Sequence, residues 1–245
     1  MLEPIIVEDK AASDTPHATS TIDQSTIQLK SPATSDTASI LDNLPGVTIN
    51  NTGGLSSLPS IQGLADDRLR IKLDGMDLTS TCPNHMNPPL SYIAPTNVEK
   101  VDVYAGITPV SVGGDSIGGA IIVKSLKPEF ASDANEKIIK GQIGSYYRSN
   151  NDAMSVNVNA GLANQNVSIN YNGSWSQADN YSAGDNFKSS TATGRTGHTL
   201  PLDEVGSTAY ETQDHTLAFA YQTGKNLFDM KLGYQNMPEQ LYPNQ

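Results

Sequence analysis

The sequence predicts an α+β domain followed by long antiparallel β-strands of the kind that cross a membrane. Between residues 41 and 124, short apolar strands alternate with glycine-rich turns. After residue 128 the segments become longer, and apolar side chains alternate with polar ones. Because successive side chains of a strand point to opposite faces, long strands with one apolar and one polar face are typical of a transmembrane β-barrel.

The composition limits the function classes. The 245-residue chain has a formal net charge of -11 and no basic stripe, which argues against a nucleic-acid partner. Hydrophobic residues make up only 37%, which fits half-polar strands and many turns better than a helix-rich enzyme. The motifs contain no nucleophile with a neighbouring base and no paired carboxylates. The sequence therefore indicates a protein that is not an enzyme and has no organic cofactor.

Residues 1–38 are predicted to form a flexible leader. Ser, Thr, Ala and Asp dominate this stretch, and such a composition buries little apolar surface. One short strand is expected around Ile27–Leu29. An apolar cluster at residues 5–7 stands out from this polar background, and its plainest interpretation is an ordinary frayed terminus.

The patterns in residues 39–128 predict a small, turn-dense domain. The segment Ser35–Leu44 has the polar start and apolar spacing of a short helix. Charged and apolar residues alternate from Arg68 to Leu73, which is typical of a strand with one buried face. Further strands are expected at Val98–Tyr104 and Ala120–Val123. The glycines before the last strand do not form a phosphate loop, because a β-branched strand follows them in place of a helix.

The loop from Met76 to Pro89 is the place where the sequence indicates chemistry. Cys82, His85 and Met86 lie within five positions of one another. Thiolate and thioether groups select Cu(I), and imidazole suits copper in either oxidation state. The competing interpretation is structural, since a lone cysteine often behaves as a small buried residue and methionine often fills gaps in a core. The spacing alone leaves both interpretations open.

Four motifs occur in an order that resembles the plug domain of TonB-dependent outer-membrane transporters. They are Leu41–Val47, Arg70–Gly75, Val98–Val103 and Gly118–Val123. The resemblance implies a leader over residues 1–38, a plug over residues 39–128 and the first strands of a barrel over residues 129–245. A plugged transporter barrel has 22 strands, and about five are expected here. The sequence therefore predicts a fragment that holds the plug and roughly the first quarter of the barrel.

The resemblance also implies a place and two partners. Proteins of this family lie in the bacterial outer membrane, contact its lipid and engage the TonB energy-coupling complex. TonB pairs with a short β-prone segment near the N terminus by strand addition. The segment that resembles this TonB box consists of Glu3, Pro4, Ile5, Ile6 and Val7.

The phrase CPNHMNPPLSYIAP resembles that of the outer-membrane copper receptors in particular. In those receptors the plug supplies a Cys and a Met four residues later, which match Cys82 and Met86, with His85 as a candidate helper. The barrel of those receptors supplies a His and a second Met in a His-x-Met pattern. In this chain, neither His198 nor His215 is followed by methionine two positions later.

The resemblance therefore implies a receptor that imports copper, with Cu(I) favoured, as the free ion or a chelate. One alternative is a receptor for a ferric siderophore or another metal chelate. Another is a surface-interaction protein, such as a phage or bacteriocin receptor, in which the long loop Ser182–Tyr210 would make the contact.

Overall fold

The computed structural model describes residues 20–241, apart from residues 52, 114 and 115. The TonB box predicted at Glu3–Val7 lies outside the described residues. The regular elements, in chain order, are β1 (Ser20–Ile22), α1 (Gln24–Lys30), β2 (Val47–Asn50), β3 (Leu58–Ile61), β4 (Leu64–Ala65), β5 (Leu69–Leu73), β6 (Met76–Leu78), β7 (Val98–Ala105), β8 (Gly119–Ser125), β9 (Ile138–Arg148), β10 (Ala153–Ala163), β11 (Val167–Ala178), β12 (Tyr210–Thr223) and β13 (Asn226–Gln240). Within this part of the chain, no helix is long and apolar enough to cross a membrane.

The first half of the chain forms the predicted α+β domain. Its main sheet has the order β1-β7-β8-β5-β6, in which β5 and β8 run parallel and the other pairs antiparallel. A smaller sheet has the order β2-β3-β4. One apolar core joins these sheets to α1 and to the short 3₁₀ turns. Its most buried large side chains include Ile27, Ile40, Ile61, Leu90 and Ile121.

Two local predictions in this domain need correction. The strand predicted at Ile27–Leu29 is wrong, because the chain forms the helix α1 there. The carboxylate of Asp23 accepts the backbone N–H of Thr26 at 2.9 Å and caps this helix. β1 and α1 thus lie inside the segment predicted as a flexible leader. The helix predicted over residues 35–44 is a single 3₁₀ turn, Ala38–Leu41, since the chain turns at Asn43 with a φ of 73°.

The second half of the chain confirms the prediction of long amphipathic strands. β9 to β13 form one antiparallel meander in chain order, which is open in the described residues. One face is apolar and strongly exposed; Ile143, for example, is 76% exposed. The opposite face carries Asn, Ser, Thr and Gln among small and a few charged residues, and it lies against the first domain. This arrangement is the partial barrel that the alternating sequence predicts.

A small set of polar contacts ties the first domain to the strands. The Nζ of Lys231 on β13 donates to Asp74 Oδ2 at 3.1 Å and to Ser125 Oγ at 2.7 Å. Burial opposes the charged form of Asp74, but hydrogen bonds from Ser125 and the charge of Lys231 outweigh it and lower the pKa of this carboxyl. Farther along the interface, Gly54 packs against the ring of Tyr210, where a Cβ would overlap the ring.

The start of β8 gives a prediction for stability. Gly119 has a φ of 124°, and a Cβ there would overlap the carbonyl oxygen of Tyr104 on the neighbouring strand. We expect Gly119→Ala to destabilise the domain by at least about 3 kcal/mol, seen as faster hydrogen exchange of the β7 and β8 amides. Gly63→Ala is the control, since Gly63 also has a positive φ but faces open space. Its expected cost is about 1 kcal/mol, and an equal loss in both variants would contradict the steric explanation.

Candidate functional site

The loop that carries Cys82 connects β6 to the 3₁₀ turn Pro89–Tyr92. Pro89, Leu90 and Ser91 are buried at its C-terminal end. The tip is open, because Pro83, Asn84 and Met86 are exposed. The fold therefore fixes the base of this loop and presents its tip.

Two side chains brace the loop internally, and sequence reasoning missed both. The hydroxyl of Ser80 lies 3.0 Å from both the Cys82 and the Asn87 carbonyl oxygens. The Tyr92 hydroxyl donates to the Asn87 carbonyl at 2.9 Å and accepts the Thr81 backbone N–H at 3.1 Å. These hydrogen bonds join the two stems of the loop, and the sulfur atoms of Cys82 and Met86 take no part in them.

The three predicted ligands share one turn of this loop. The backbone N–H of His85 donates to the Cys82 carbonyl at 2.9 Å, and His85 has a positive φ of 53°. Cys82 is half-buried, whereas the Met86 side chain is 39% exposed. The thiol and the thioether therefore belong to a surface loop rather than to the apolar core.

The Asp77 carboxylate near the loop is engaged by another side chain. His85 lines a cavity of about 350 Å³ together with Asp77 and Arg70. Arg70 holds Asp77 in a two-pronged ion pair, with distances of 2.6 Å from Nε to Oδ1 and 2.8 Å from Nη2 to Oδ2. The hydrogen bonds from Arg70 lower the pKa of Asp77. In the described part of the chain, no group of three or more His, Cys, Asp or Glu residues is arranged to hold a metal ion. A site with three protein ligands on this loop would thus need a donor of another kind, such as the Met86 sulfur.

The strands support the base of the loop from the other side. On β13, the Gln235 amide nitrogen donates to the Ser91 carbonyl and to Asp214 Oδ1, at 2.8 Å each. The Ser91 hydroxyl in turn donates to the Pro88 carbonyl at 2.7 Å. A chain of hydrogen bonds therefore runs from two strands into the foot of the loop. No sequence signal reveals it, because Gln235 and Ser91 are 144 residues apart.

The histidines considered as further ligands have local partners. His215 lies on the outer face of β12, where its ring stacks 6.2 Å from Tyr171 and 6.3 Å from Tyr234. Its Nδ1 is also 2.8 Å from the Tyr171 hydroxyl. His198 contacts Thr193, with 3.0 Å between Nδ1 and Oγ1. Each ring is thus occupied away from the Cys82 loop.

Comparison with known proteins identifies the class of the first domain. Residues 11–120 match the model of the TonB-dependent Receptor Plug Domain. This part of the chain is therefore a plug domain of TonB-dependent receptors. Among curated proteins, the Vitamin B12 transporter BtuB of Vibrio vulnificus (strain YJ016) is 30% identical over 89 residues, which are 36% of this chain and 14% of the transporter.

Solved structures of such receptors share the fold of nearly the whole chain. The copper transporter OprC superposes with a TM-score of 0.73 over 92% of this chain and 31% of its own, at 22% identity. The FrpB iron transporter from Neisseria meningitidis superposes with a TM-score of 0.67 over 85% of this chain and 30% of its own, at 18% identity. A ferric enterobactin receptor from Pseudomonas aeruginosa superposes with a TM-score of 0.63 over 90% of this chain and 33% of its own, at 16% identity. The chain thus spans about a third of the length of these structures.

Proposed function

We propose that the protein is a TonB-dependent receptor of the bacterial outer membrane that takes up copper. The observation that carries this proposal is a thiol and a thioether four residues apart on a braced plug loop with an open tip. Cys82 and Met86 are the proposed ligands, and the imidazole of His85 stands in the same turn. The fold shared with a copper transporter supports the proposal.

The donor chemistry favours Cu(I) over harder ions. Sulfur ligands suit Cu(I), whereas Fe(III), Ca²⁺ and Mg²⁺ prefer carboxylate and carbonyl oxygen. The Ser80 hydroxyl lies within hydrogen-bond distance of the Cys82 and Asn87 carbonyls, and Arg70 occupies the carboxylate of Asp77. The sulfur atoms and the imidazole are therefore the donors on this loop that suit Cu(I).

Uptake would require the plug to move relative to the strands. We expect TonB to bind Glu3–Val7 by strand addition, in which backbone hydrogen bonds supply the affinity. Lys231 and Gln235 on β13 bond to the plug, and Ser35 of the plug bonds to β9. Because these contacts are polar, water can replace them when the plug shifts. The apolar outer face of β9 to β13 would contact outer-membrane lipid.

A second candidate is a receptor for a metal chelate such as a ferric siderophore. The similarity to iron and enterobactin receptors and to a vitamin B12 transporter favours it. Chelates are large and need many polar and aromatic contacts, whereas a bare ion needs a few soft donors. The sulfur pair is the feature that separates the two candidates.

Element analysis of the protein purified from copper-supplemented cells tests the proposal. We expect about one copper atom per chain, as the single loop site requires, with iron and cobalt at background. Stoichiometric iron or cobalt without copper would reject copper as the cargo and support the chelate receptor.

A further inference from the structure

A buried carboxyl group, that of Asp214, lies on the inner face of β12. Asp214 is only 5% exposed. Thr212 Oγ1 donates to its Oδ2 at 3.2 Å, and Gln235 Nε2 donates to its Oδ1 at 2.8 Å. Asp214 and Gln235 stand directly opposite each other on β12 and β13. Because a buried carboxyl group costs free energy unless hydrogen bonds satisfy it, Asp214 needs the Gln235 amide as a donor.

The amide of Gln235 has an orientation that its two partners determine. Its nitrogen donates to Asp214 Oδ1 and to the Ser91 carbonyl oxygen, at 2.8 Å each. An amide NH₂ group has two N–H donors, whereas the amide oxygen can only accept. A rotated amide would bring its oxygen against two acceptor oxygens, so both hydrogen bonds would be lost together. Asp214 therefore holds Gln235 in the orientation that binds the plug.

The hydrogen bond from Gln235 acts on the peptide unit that joins Ser91 to Tyr92. The carbonyl of this unit is the acceptor, so the backbone at the start of Tyr92 is held in place. The Tyr92 hydroxyl in turn donates to the Asn87 carbonyl at 2.9 Å and accepts the Thr81 backbone N–H at 3.1 Å. A bond from the strands thus supports the side chain that joins the two stems of the loop.

The two stem residues flank the candidate sulfur ligands. Thr81 directly precedes Cys82, and Asn87 directly follows Met86. Two ligands that are held near each other before the metal arrives lose less conformational entropy on binding it. The Tyr92 hydroxyl therefore limits the distance over which the thiol and the thioether can separate.

We propose that Asp214 and Gln235 are positioning residues for the candidate copper site. Asp214 orients the Gln235 amide, and this amide fixes the peptide unit before Tyr92. Tyr92 then holds the two stems beside the sulfur ligands. The effect on copper rests on the proposed function, whereas the support of the loop does not.

Hydrogen exchange of the metal-free protein tests the support of the loop without copper. Gln235→Met has a side chain of similar length but lacks the N–H donors. We expect it to speed exchange of the Thr81 and Ser91 amides at least about tenfold, the loss that one hydrogen bond explains. These amides donate to the Tyr92 hydroxyl and to the Pro88 carbonyl, respectively. Unchanged exchange of both amides would overturn the proposal.

Gln240→Met is the matched control for this measurement. Gln240 lies on the same strand, and its amide also donates to the plug, but its partner is Ser56 Oγ between β2 and β3. Exchange of the loop amides should stay within about twofold of the unaltered protein. Equal acceleration in Gln240→Met and Gln235→Met would show a general loosening of the plug and would overturn the specific role.

Two substitutions at Asp214 separate its acceptor oxygens from its shape. Both Asp214 and Gln235 border cavities of about 30 and 320 Å³, in which water can replace a side chain that is cut short. Leucine is therefore a better test than alanine, and Asp214→Leu should speed loop exchange as much as Gln235→Met does. Asp214→Asn keeps an acceptor for Gln235 and should restore the rate to within about twofold.

Equal acceleration in Asp214→Asn and Asp214→Leu would overturn the orienting role of the carboxyl group. Normal loop exchange in folded Asp214→Leu would overturn it as well. If Asp214→Leu does not fold, Gln235→Met and Asp214→Asn decide the proposal, because the first removes the donors and the second keeps an acceptor.

Competition with a Cu(I) chelator tests the effect on the metal. We expect Gln235→Met to weaken Cu(I) binding about tenfold. Tyr92→Phe should weaken it by a similar factor, and the double variant should lose no more than either single one, since both act through the same hydroxyl. Additive losses would overturn the route through Tyr92.

Cys82→Ala separates this proposal from the proposed function. If Cys82→Ala weakens Cu(I) binding but Gln235→Met does not, the positioning role is overturned while the copper site stands. If Cys82→Ala leaves Cu(I) binding unchanged, the copper proposal fails. The amide exchange then decides by itself whether Asp214 and Gln235 support the loop.

Discussion

Deletion of Glu3–Val7 is expected to abolish energised copper uptake and to leave copper binding unchanged. The segment resembles a TonB box, which binds by adding a strand to its partner, so its removal takes away the site of energy coupling. The proposed copper ligands lie on a different segment, the loop around Cys82. Uptake of ⁶⁴Cu by cells and equilibrium binding to the purified protein measure the two properties separately.

The described start of the chain explains how a pull on the N terminus would reach the plug. In the part of the chain that the structure describes, β1 has three residues and pairs only with β7, at the edge of the sheet. The Thr21 hydroxyl donates to Asp102 Oδ1 at 2.8 Å, and Lys100 holds the same carboxylate at 2.8 Å. A force on β1 would therefore act directly on β7, the strand that follows the Cys82 loop in the chain.

A deletion of the same length supplies the control for this prediction. Removal of residues 11–15, with the sequence Ala-Ala-Ser-Asp-Thr, shortens the leader equally but retains the apolar cluster. Uptake should persist in this variant. Loss of copper binding after deletion of Glu3–Val7 would contradict the prediction and make the segment a structural part of the plug.

Cys82→Ala is expected to weaken Cu(I) binding at least about 100-fold, or roughly 2.7 kcal/mol, and Met86→Ala about tenfold, or roughly 1.4 kcal/mol. The order follows from charge, because a thiolate is an anionic ligand and a thioether a neutral one. Competition with a Cu(I) chelator of known affinity measures both values. Alanine keeps the Cys82 carbonyl that accepts from Ser80 and from the His85 backbone. The substitutions therefore remove donor atoms without removing these braces.

Two further variants sharpen this test. Met154→Ala is the control for general loss of methionine, since Met154 is 49% exposed on the outer face of the strands, and it should bind Cu(I) normally. His85→Ala shows whether the imidazole is a third ligand, in which case affinity falls between those of the two sulfur variants. Unchanged affinity in both Cys82→Ala and Met86→Ala would remove the site.

The sequence predicts those parts of the fold in which the type of each residue indicates the face on which its side chain lies. Residues such as Val156 and Val158 alternate with Ser155 and Asn157, and this period of two is enough to place β10 and to assign its faces. The strand pattern at Arg68–Leu73 predicts β5 for the same reason. α1 was missed because its cap, Asp23, and its single buried side chain, Ile27, make a weak local signal.

The candidate site likewise has residues that the sequence predicts and contacts that only the structure reveals. The types and spacing of Cys82 and Met86 are visible in the sequence, and together with the resemblance to copper receptors they suggest copper. Ser80 and Tyr92 are local but ordinary loop residues, so their bracing role appears only in three dimensions. The bond from Gln235 to Ser91 joins segments far apart in the chain. Hydrogen bonds of this kind depend on how two sheets dock, which no short sequence window contains.

Copper X-ray absorption on the purified, Cu(I)-loaded protein addresses the sulfur ligands most directly. We predict two sulfur scatterers around the metal and the loss of one of them in Cys82→Ala. A first shell of nitrogen and oxygen alone, identical in both proteins, would show that the plug loop does not hold copper through its sulfur pair.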